Sequence, residues 1–445
     1  MPSVAFYTLG CKVNFYDTEA IWQMFKNEGY EQVDFEGTAD VYLINTCTVT
    51  NTGDKKSRQM IRRAVRRNPE AIVAVTGCYA QTSPGEILDI PGVDLVIGNQ
   101  DRDQILTHVR QIQQSRQPVN AVRNIMKTRE FEDLDVPGFS DRTRGFLKIQ
   151  DGCNNFCTFC IIPWSRGLSR SRDPQSIVRQ AHQLVESGYQ EIVLTGIHTG
   201  GYGDDLDNYR LSDLLWELDK VDGLERVRIS SIEASQIDEK LLEVLNRSSK
   251  MCRHLHIPLQ AGHDEVLKRM RRKYTTEEYF RKMGLIRQAM PDVAITTDVI
   301  VGFPGETDEM FQAGYEFMKA VNYSEMHVFP YSKRTGTPAA RMEDQVDEDI
   351  KNARVQQLID LSEDMQLAYA QQFVGQTLSV IPERSSKMTG GQQHGFSDNY
   401  LQVHFAGDDS LQGRICQVKI TEAGVNECRG ELVSADAVVL GQSVS

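Results

Sequence analysis

Residues 147–160 read Leu-Lys-Ile-Gln-Asp-Gly-Cys-Asn-Asn-Phe-Cys-Thr-Phe-Cys. A strand-like apolar run stops at Gly152, and Cys153, Cys157 and Cys160 follow at a C-x3-C-x2-C spacing. A disulfide would use two of these thiols and strand the third. A closed zinc site would want a fourth protein ligand close by. The next residues are Ile161, Ile162, Pro163 and Trp164, and the nearest downstream histidine is His182. Three thiolates instead suit a four-iron cluster with one iron left open, a reactive arrangement rather than a closed electron-transfer one.

Working outward, strand-like and helical segments alternate from Phe146 to about Tyr369. Candidate strands are 146–149, 191–195, 227–232, 254–259, 294–301 and 325–329. Six βα units predict a partial or full barrel whose site lies at the carboxyl ends of its strands. Two of those ends, Thr195-Gly196 and Gly302-Phe303-Pro304-Gly305-Glu306, are glycine-rich and offer bare backbone. His254 and His256 flank Leu255 on an alternating strand, so both face one side, and they read as partnered pocket-lining groups. Residues 331–338 suggest no chemistry. Residues 126–140 are polar and irregular and read as a linker.

The first 125 residues read as α/β as well. Apolar runs at 4–9, 41–44 and 72–75, with a fourth at 93–97, alternate with helical segments near 17–28 and 54–67. Asn14 and Asp17 mark a start for the first helix. Each of the first three runs leads into a cysteine: Cys11, Cys47 and Cys78. In an open parallel sheet the carboxyl ends of strands share one edge, where ligands sit. Topology therefore gathers three thiols that lie 36 and 31 residues apart into a second three-thiolate site. Cys252, Cys416 and Cys428 fit no ligand spacing and read as structural.

At 445 residues the chain holds two or three domains, and no apolar run approaches membrane-spanning length. The N-terminus lacks the basic region and apolar core of a signal peptide. Nine cysteines without an export signal point to a reducing cytoplasm and thiolate chemistry. A net charge of −13 argues against a generic polyanion-coating protein. Basic residues nevertheless cluster twice. Lys55, Lys56, Arg58, Arg62, Arg63, Arg66 and Arg67 lie on one helical stretch, and Lys268, Arg269, Arg271, Arg272 and Lys273 form a second group. A solvated helix face would explain either alone; together they suit a phosphate backbone.

A helix over 350–372 leads into a region of short strands, 377–381, 400–405, 414–421 and 431–433, which predicts a small β-barrel. From Gly375 onward Lys and Arg number five and Asp and Glu eight, a net of −3 and a poor electrostatic match to RNA.

The run Gly152 to Pro163, with Gly10-Cys11-Lys12-Val13-Asn14, Asn45-Thr46-Cys47-Thr48-Val49 and Thr76-Gly77-Cys78-Tyr79-Ala80-Gln81, resembles the radical S-adenosylmethionine (SAM) methylthiotransferases along most of the chain. The resemblance implies an α/β multidomain protein in three parts. Residues 1–125 would be a flavodoxin- or Rossmann-like domain with an auxiliary [4Fe-4S] cluster on Cys11, Cys47 and Cys78. Residues 141–372 would be a radical-SAM (βα) barrel with a second [4Fe-4S] cluster on Cys153, Cys157 and Cys160. Residues 373–445 would be an RNA-binding barrel of the TRAM type. It also implies that Thr195, Gly196, Ser230, Ser231, Glu233 and Gly302 line the SAM site. In the family one SAM yields a 5′-deoxyadenosyl radical, and another methylates the sulfur delivered to carbon. An external electron donor and a sulfur donor are implied as partners. Three substrates compete within the family: N6-isopentenyladenosine in tRNA, N6-threonylcarbamoyladenosine beside the tRNA anticodon, and an aspartate of a ribosomal protein. The stretch from Asn45 to Gln59, with Ser165-Arg166-Gly167 and 195–203, most resembles the threonylcarbamoyl branch, with the Lys55–Arg67 helix as an RNA contact. The acidic third domain would suit a basic protein substrate. An iron–sulfur carrier without radical chemistry would show similar cysteines but would have no use for a SAM-sized barrel.

Overall fold

A computed structural model describes residues 1–134, 136–139, 142–384 and 391–435. Its first sheet is wholly parallel, with strands in the spatial order 31–32, 3–8, 41–46, 72–77, 95–96 and 119–120. In chain order this is 2-1-3-4-5-6, the flavodoxin-like winding, and its switch point falls between the first and third strands. Alternation along Val41–Thr46 sends Val41 and Leu43 into a core with Ile21, Phe25 and Val109, and Tyr42 and Ile44 into a core with Met60 and Ile61. Both sheet faces are thereby covered by helices. The first helix, Lys12–Asn27, begins earlier than Asn14 and Asp17 suggest. Cys11 is extended and acts as its N-cap, while Asn14 and Asp17 are buried and used for contacts inside.

The central region holds two three-stranded parallel sheets. One is ordered 226–229, 191–195, 145–148, and the other 254–256, 294–301, 325–330. A parallel bridge between Val227 and Met251 joins them, so six strands run in sequence order around an open barrel. All six expected strands match to within three residues; the third and fourth each end three residues early, at Ile229 and His256. Residues 126–140 carry a 3-10 turn at Ile125–Lys127 and little else regular, yet they are not a loose tether. Val136 and Phe139 are buried in the central core, and Tyr16 donates its hydroxyl to the Leu134 carbonyl at 3.0 Å. Asp135 and Ser140 lie outside the described residues.

The helix Glu348–Gln371 leads to a closed five-stranded barrel ordered 377–382, 392–397, 402–406, 428–435, 416–423. Gln392–Ser397 is the strand the sequence conceals. Its residues, Gln-Gln-His-Gly-Phe-Ser, are mostly polar, but they alternate in burial, and Gln393 and Ser397 are enclosed. Two of the charges counted for this region, Lys387 and Asp436, lie outside the described residues. The barrel is anchored by arginines of the central strand 226–229: Arg228 donates to the carbonyls of Ser397 (3.0 Å) and Asp398 (3.1 Å), and Tyr400 stacks on His254 at 4.4 Å. Among the described residues no helix is long and apolar enough to cross a membrane.

Candidate active site: two cysteine trios and their arginines

Cys11, Cys47 and Cys78 follow strands 3–8, 41–46 and 72–77 on one sheet edge, at the switch point. A Cβ placed on Gly10 would stand 3.2 Å from Cys47 Sγ, which shows how closely the first and third strand ends approach. Gly10 and Gly77 have φ of +106° and +96°, and a Cβ on Gly77 would lie 2.4 Å from the Thr46 carbonyl. Only glycine fits ahead of these thiols. Asn14 ties the edge together, donating from Nδ2 to the carbonyls of Leu9 (2.7 Å) and Thr46 (3.1 Å). Two donors converge on Cys78 Sγ: Asn99 Nδ2 at 3.6 Å and Arg166 Nε at 3.4 Å.

Arg166 comes from the central domain and is fully buried. Its Nη1 donates to Asp17 (2.8 Å) and Asp151 (3.1 Å), and Lys148 Nζ bridges the same two carboxylates at 2.8 and 2.7 Å. Arg102 completes the network on Asp17 and Glu132. Three cations thus match three carboxylates across the seam between the first two domains. Burial would raise the carboxyls of Asp17 and Asp151, but Arg102, Lys148 and Arg166 around them outweigh it and hold both well below the usual carboxylate range.

The second trio sits in a loop of eight residues. Thr158 pins that loop, its amide donating to the Met270 carbonyl (3.1 Å) and its hydroxyl to that of Arg269 (2.9 Å). Phe156 occupies the left-handed region at φ +49°, held against Trp164 with ring centres 5.1 Å apart. Arg272 Nη1 lies 3.4 Å from Cys157 Sγ and 2.9 Å from Glu233. Glu233 also accepts from Asn155 Nδ2 at 3.0 Å, and the Asn155 amide lies 3.5 Å from Cys153 Sγ. Arg272 is therefore no surface cation, as its basic neighbours in sequence suggest, but the counterpart of Arg166.

The donor sets fit iron–sulfur clusters better than single ions. Among the described residues the only three ligand-type side chains whose donor atoms all lie within 4.8 Å of one another are His256, Asp298 and His327; neither cysteine trio draws that tight. All nine cysteines are free. Each trio has a guanidinium and an amide group aimed at its sulfurs, the hydrogen bonding that stabilises cluster-bound thiolate. Burial pushes the thiols of Cys47 and Cys153 up to about 11 and that of Cys160 up to about 12, and it raises Cys11 too. A metal entering either site would displace thiol protons.

The strand ends expected to line a SAM site are brought around the central trio unequally. Glu233 touches the cysteine loop directly. Gly196 packs on Gln150, whose Oε1 accepts from the His198 amide (2.8 Å) and whose Nε2 donates to the Gly152 carbonyl (2.7 Å). Thr195 is buried, with its hydroxyl on the Val193 carbonyl. Ser230 has a buried hydroxyl with no partner, and Ser231 is exposed. The Gly302 amide is already taken by Glu306 at 2.6 Å, and a Cβ there would strike Lys351, so that loop has a structural occupation.

His254 and His256 do share a face, since both bond the Thr296 hydroxyl, at 3.0 and 2.9 Å. Burial, with Arg228 nearby, drives His254 well below its ordinary value and keeps it neutral. Cys252, Cys416 and Cys428 are buried. Residues 331–338 acquire a role: Arg334 reaches Thr48, Asn51 and Asp54 at the start of helix Asn51–Arg67, docking the end of the barrel on the loop that carries Cys47. A cleft of 650 Å³ between Arg58, Glu86, Trp164 and Gly336 borders this contact. Along the same helix Lys55, Lys56, Arg62 and Arg66 are exposed without an ion pair among the described residues, whereas Arg63 and Arg67 share Glu36 and Arg58 bonds Tyr79.

Comparison with known proteins matches residues 147–318 to the radical SAM superfamily and residues 3–98 to an uncharacterized family, UPF0004. The chain is 60% identical over 436 residues to the threonylcarbamoyladenosine tRNA methylthiotransferase MtaB of Bacillus subtilis (strain 168), covering 97% of each chain. The chain belongs to the radical SAM methylthiotransferases. It is 36% identical over 443 residues to the enzyme of that name from Thermotoga maritima, covering 99% of this chain and 100% of that one. It is also 36% identical over 434 residues to the tRNA-2-methylthio-N(6)-dimethylallyladenosine synthase of Desulfitobacterium hafniense, covering 95% and 96%. A solved structure of the radical SAM methyltransferase TsrM from Kitasatospora setae shares the fold, with a TM-score of 0.57 at 16% identity over 88% of this chain and 81% of that one. Membership of the radical SAM family carries with it SAM and a [4Fe-4S] cluster. The expected fold class, an α/β domain, a radical-SAM barrel and a small closed barrel, is borne out.

Proposed function

We propose that the protein is a tRNA methylthiotransferase that converts N6-threonylcarbamoyladenosine beside the anticodon to its 2-methylthio derivative, working in the cytoplasm with an external electron donor and a sulfur source. In this reading residues 1–125, 141–372 and 373–445 are the auxiliary, radical SAM and TRAM domains. Cys153, Cys157 and Cys160 hold one [4Fe-4S] cluster, and Cys11, Cys47 and Cys78 hold a second. When bound, the two clusters with SAM supply the hydrogen abstraction and the sulfur that no side chain can provide.

The chain's own residues position the partners. Arg272 and the Asn155 amide face sulfurs of the central trio, and Glu233 clamps both Arg272 and Asn155, so the loop is fixed before any ligand arrives. Arg166 plays the same part at Cys78 and, through Asp17 and Asp151, locks the two sites into one unit. Thr195, Gly196, Ser230 and Ser231 would line the place for SAM in this reading, with Ser230 offering a buried hydroxyl that has no partner among the described residues, whereas Gly302 serves the loop's own structure. Lys55, Lys56, Arg62 and Arg66 present charge to the RNA backbone.

The observation that carries this reading is the pairing of two open thiol trios, each served by one buried arginine, in a chain alignable end to end with MtaB. Mass spectrometry of tRNA nucleosides from cells with and without the gene tests it. Loss of 2-methylthio-N6-threonylcarbamoyladenosine on deletion is expected; an unchanged nucleoside profile would refute it.

A further inference from the structure

Three neighbouring strands of the central barrel carry another set of ligand-type side chains, one that includes no cysteine. Strands 254–256, 294–301 and 325–330 are parallel, with His256 opposite Thr296, Thr296 opposite Glu325 and Asp298 opposite His327. Because side chains alternate along a strand, these five residues share one face of the sheet. Leu255, Ile295, Val299 and Met326 take the other face and fill the core. Donor atoms of His256, Asp298 and His327 all lie within 4.8 Å of one another, and His256 Nε2 is 3.1 Å from the Asp298 carboxylate. Atoms about 2.1 Å from one shared ion stand at most about 4.2 Å apart, so small side-chain shifts close the three on it.

Both imidazoles are already oriented from behind. His256 keeps Nδ1 on the Thr296 hydroxyl at 2.9 Å, and His327 Nδ1 faces the Glu325 carboxylate at 3.6 Å. Metal-bound histidines are held in this way, with the outer nitrogen on a polar partner and the other left for the ion. Asp298 and Glu325 pair with no lysine or arginine among the described residues, so their two negative charges match a divalent cation. Side-chain exposure rises from 14% at His256 through 31% at Asp298 to 42% at His327, which leaves the group covered by the sheet and open opposite it. Thr296, Glu325 and His327 also border a cavity of 290 Å³ shared with Tyr369 and Tyr400, room for water or another oxygen ligand. We propose that His256, Asp298 and His327 bind a divalent first-row transition ion, with coordination positions left open toward this cavity. Two imidazoles and one carboxylate suit zinc, iron or cobalt, whereas calcium and magnesium take oxygen donors. The site stands whichever substrate the enzyme modifies.

Cobalt(II) titrated anaerobically into cluster-loaded protein tests this, because its absorption bands report the donor atoms. Wild type is expected to take up about one cobalt per chain without a sulfur-to-cobalt charge-transfer band, and zinc should displace it. Asp298→Asn and His327→Gln should each weaken uptake by more than about a hundredfold, and Glu325→Gln by about tenfold, the effect of losing an outer partner. Urea midpoints without cobalt separate a lost ligand from a lost fold; they should be unchanged in His327→Gln, whose side chain is half exposed. Cobalt should raise the midpoint of wild type and of neither ligand variant. No cobalt bound by wild type overturns the proposal and leaves His256 and Asp298 as a hydrogen-bonded pair. So does uptake undiminished in Asp298→Asn and His327→Gln, or a sulfur charge-transfer band, which places the ion on cysteine.

Discussion

The two cysteine trios solve one problem in opposite ways. The central one is local, three thiols within eight residues of one loop, held by contacts from the neighbouring turn at Arg269–Arg272. The N-terminal one is assembled at long range from three strand ends, and its arginine is borrowed from the other domain. Integrity of the first depends on a loop; integrity of the second depends on the whole parallel sheet and on the domain seam.

The largest expected effects break the pair chemically. Cys153→Ala should abolish reductive SAM cleavage, followed as 5′-deoxyadenosine, while Cys11→Ala should keep cleavage and lose methylthio product. If Cys11→Ala protein still forms product, the two sites do not divide the work. Next come the arginines. Arg166→Met leaves Asp17 and Asp151 short of a buried partner, so it should cost about 3–5 kcal/mol in chemical denaturation and deplete iron at the N-terminal site. Arg272→Met should deplete iron at the central site with a smaller loss of stability, since its carboxylate Glu233 is less enclosed and keeps Asn155. Equal destabilisation by the two would remove the contrast between a seam and a loop.

How much of this contrast the sequence displays follows from range. The C-x3-C-x2-C loop is contiguous, so its chemistry is readable before any fold is known. The Cys11 trio is readable only through periodicity, because three similar strands each deliver a cysteine to one edge. The arginines are hidden: Arg272 sits among basic residues that do face water, and nothing local distinguishes it, while of the partners of Arg166 only Asp151 is near in sequence, the others lying 88 to 152 residues away. Ser165-Arg166-Gly167 and residues 331–338 stood out as segments, yet their contacts are tertiary. Gln392–Ser397 does not read as a strand because its buried positions are glutamine, glycine and serine rather than large apolar residues.

Acid should separate the two sites as well. Asp17 and Asp151 have carboxyls held below their ordinary value of 3.8, and Glu191 is held at about 2 against an ordinary 4.5 by Arg228 and Arg226 despite burial. Depressed carboxylates stabilise the fold fully above their unfolded values and lose that contribution as pH falls toward the folded ones. Denaturant midpoints should therefore drop steeply as pH falls below about 4.5, and Arg166→Met should flatten that drop more than Arg272→Met does. A decline of the same steepness in both variants would argue against the seam as its source. The smallest effect per residue is expected at the surface. Alanine at Lys55, Lys56, Arg62 and Arg66 together should weaken RNA binding regardless of the modified base and reduce the salt slope by about 3, read from affinities at several salt concentrations.

The most direct test is iron and sulfide per chain in anaerobically reconstituted protein, measured for wild type and for each trio replaced by alanine. Two independent open clusters predict about eight irons in wild type and about four in either triple variant. About four irons in wild type, lost with one trio and untouched by removal of the other, would contradict the account.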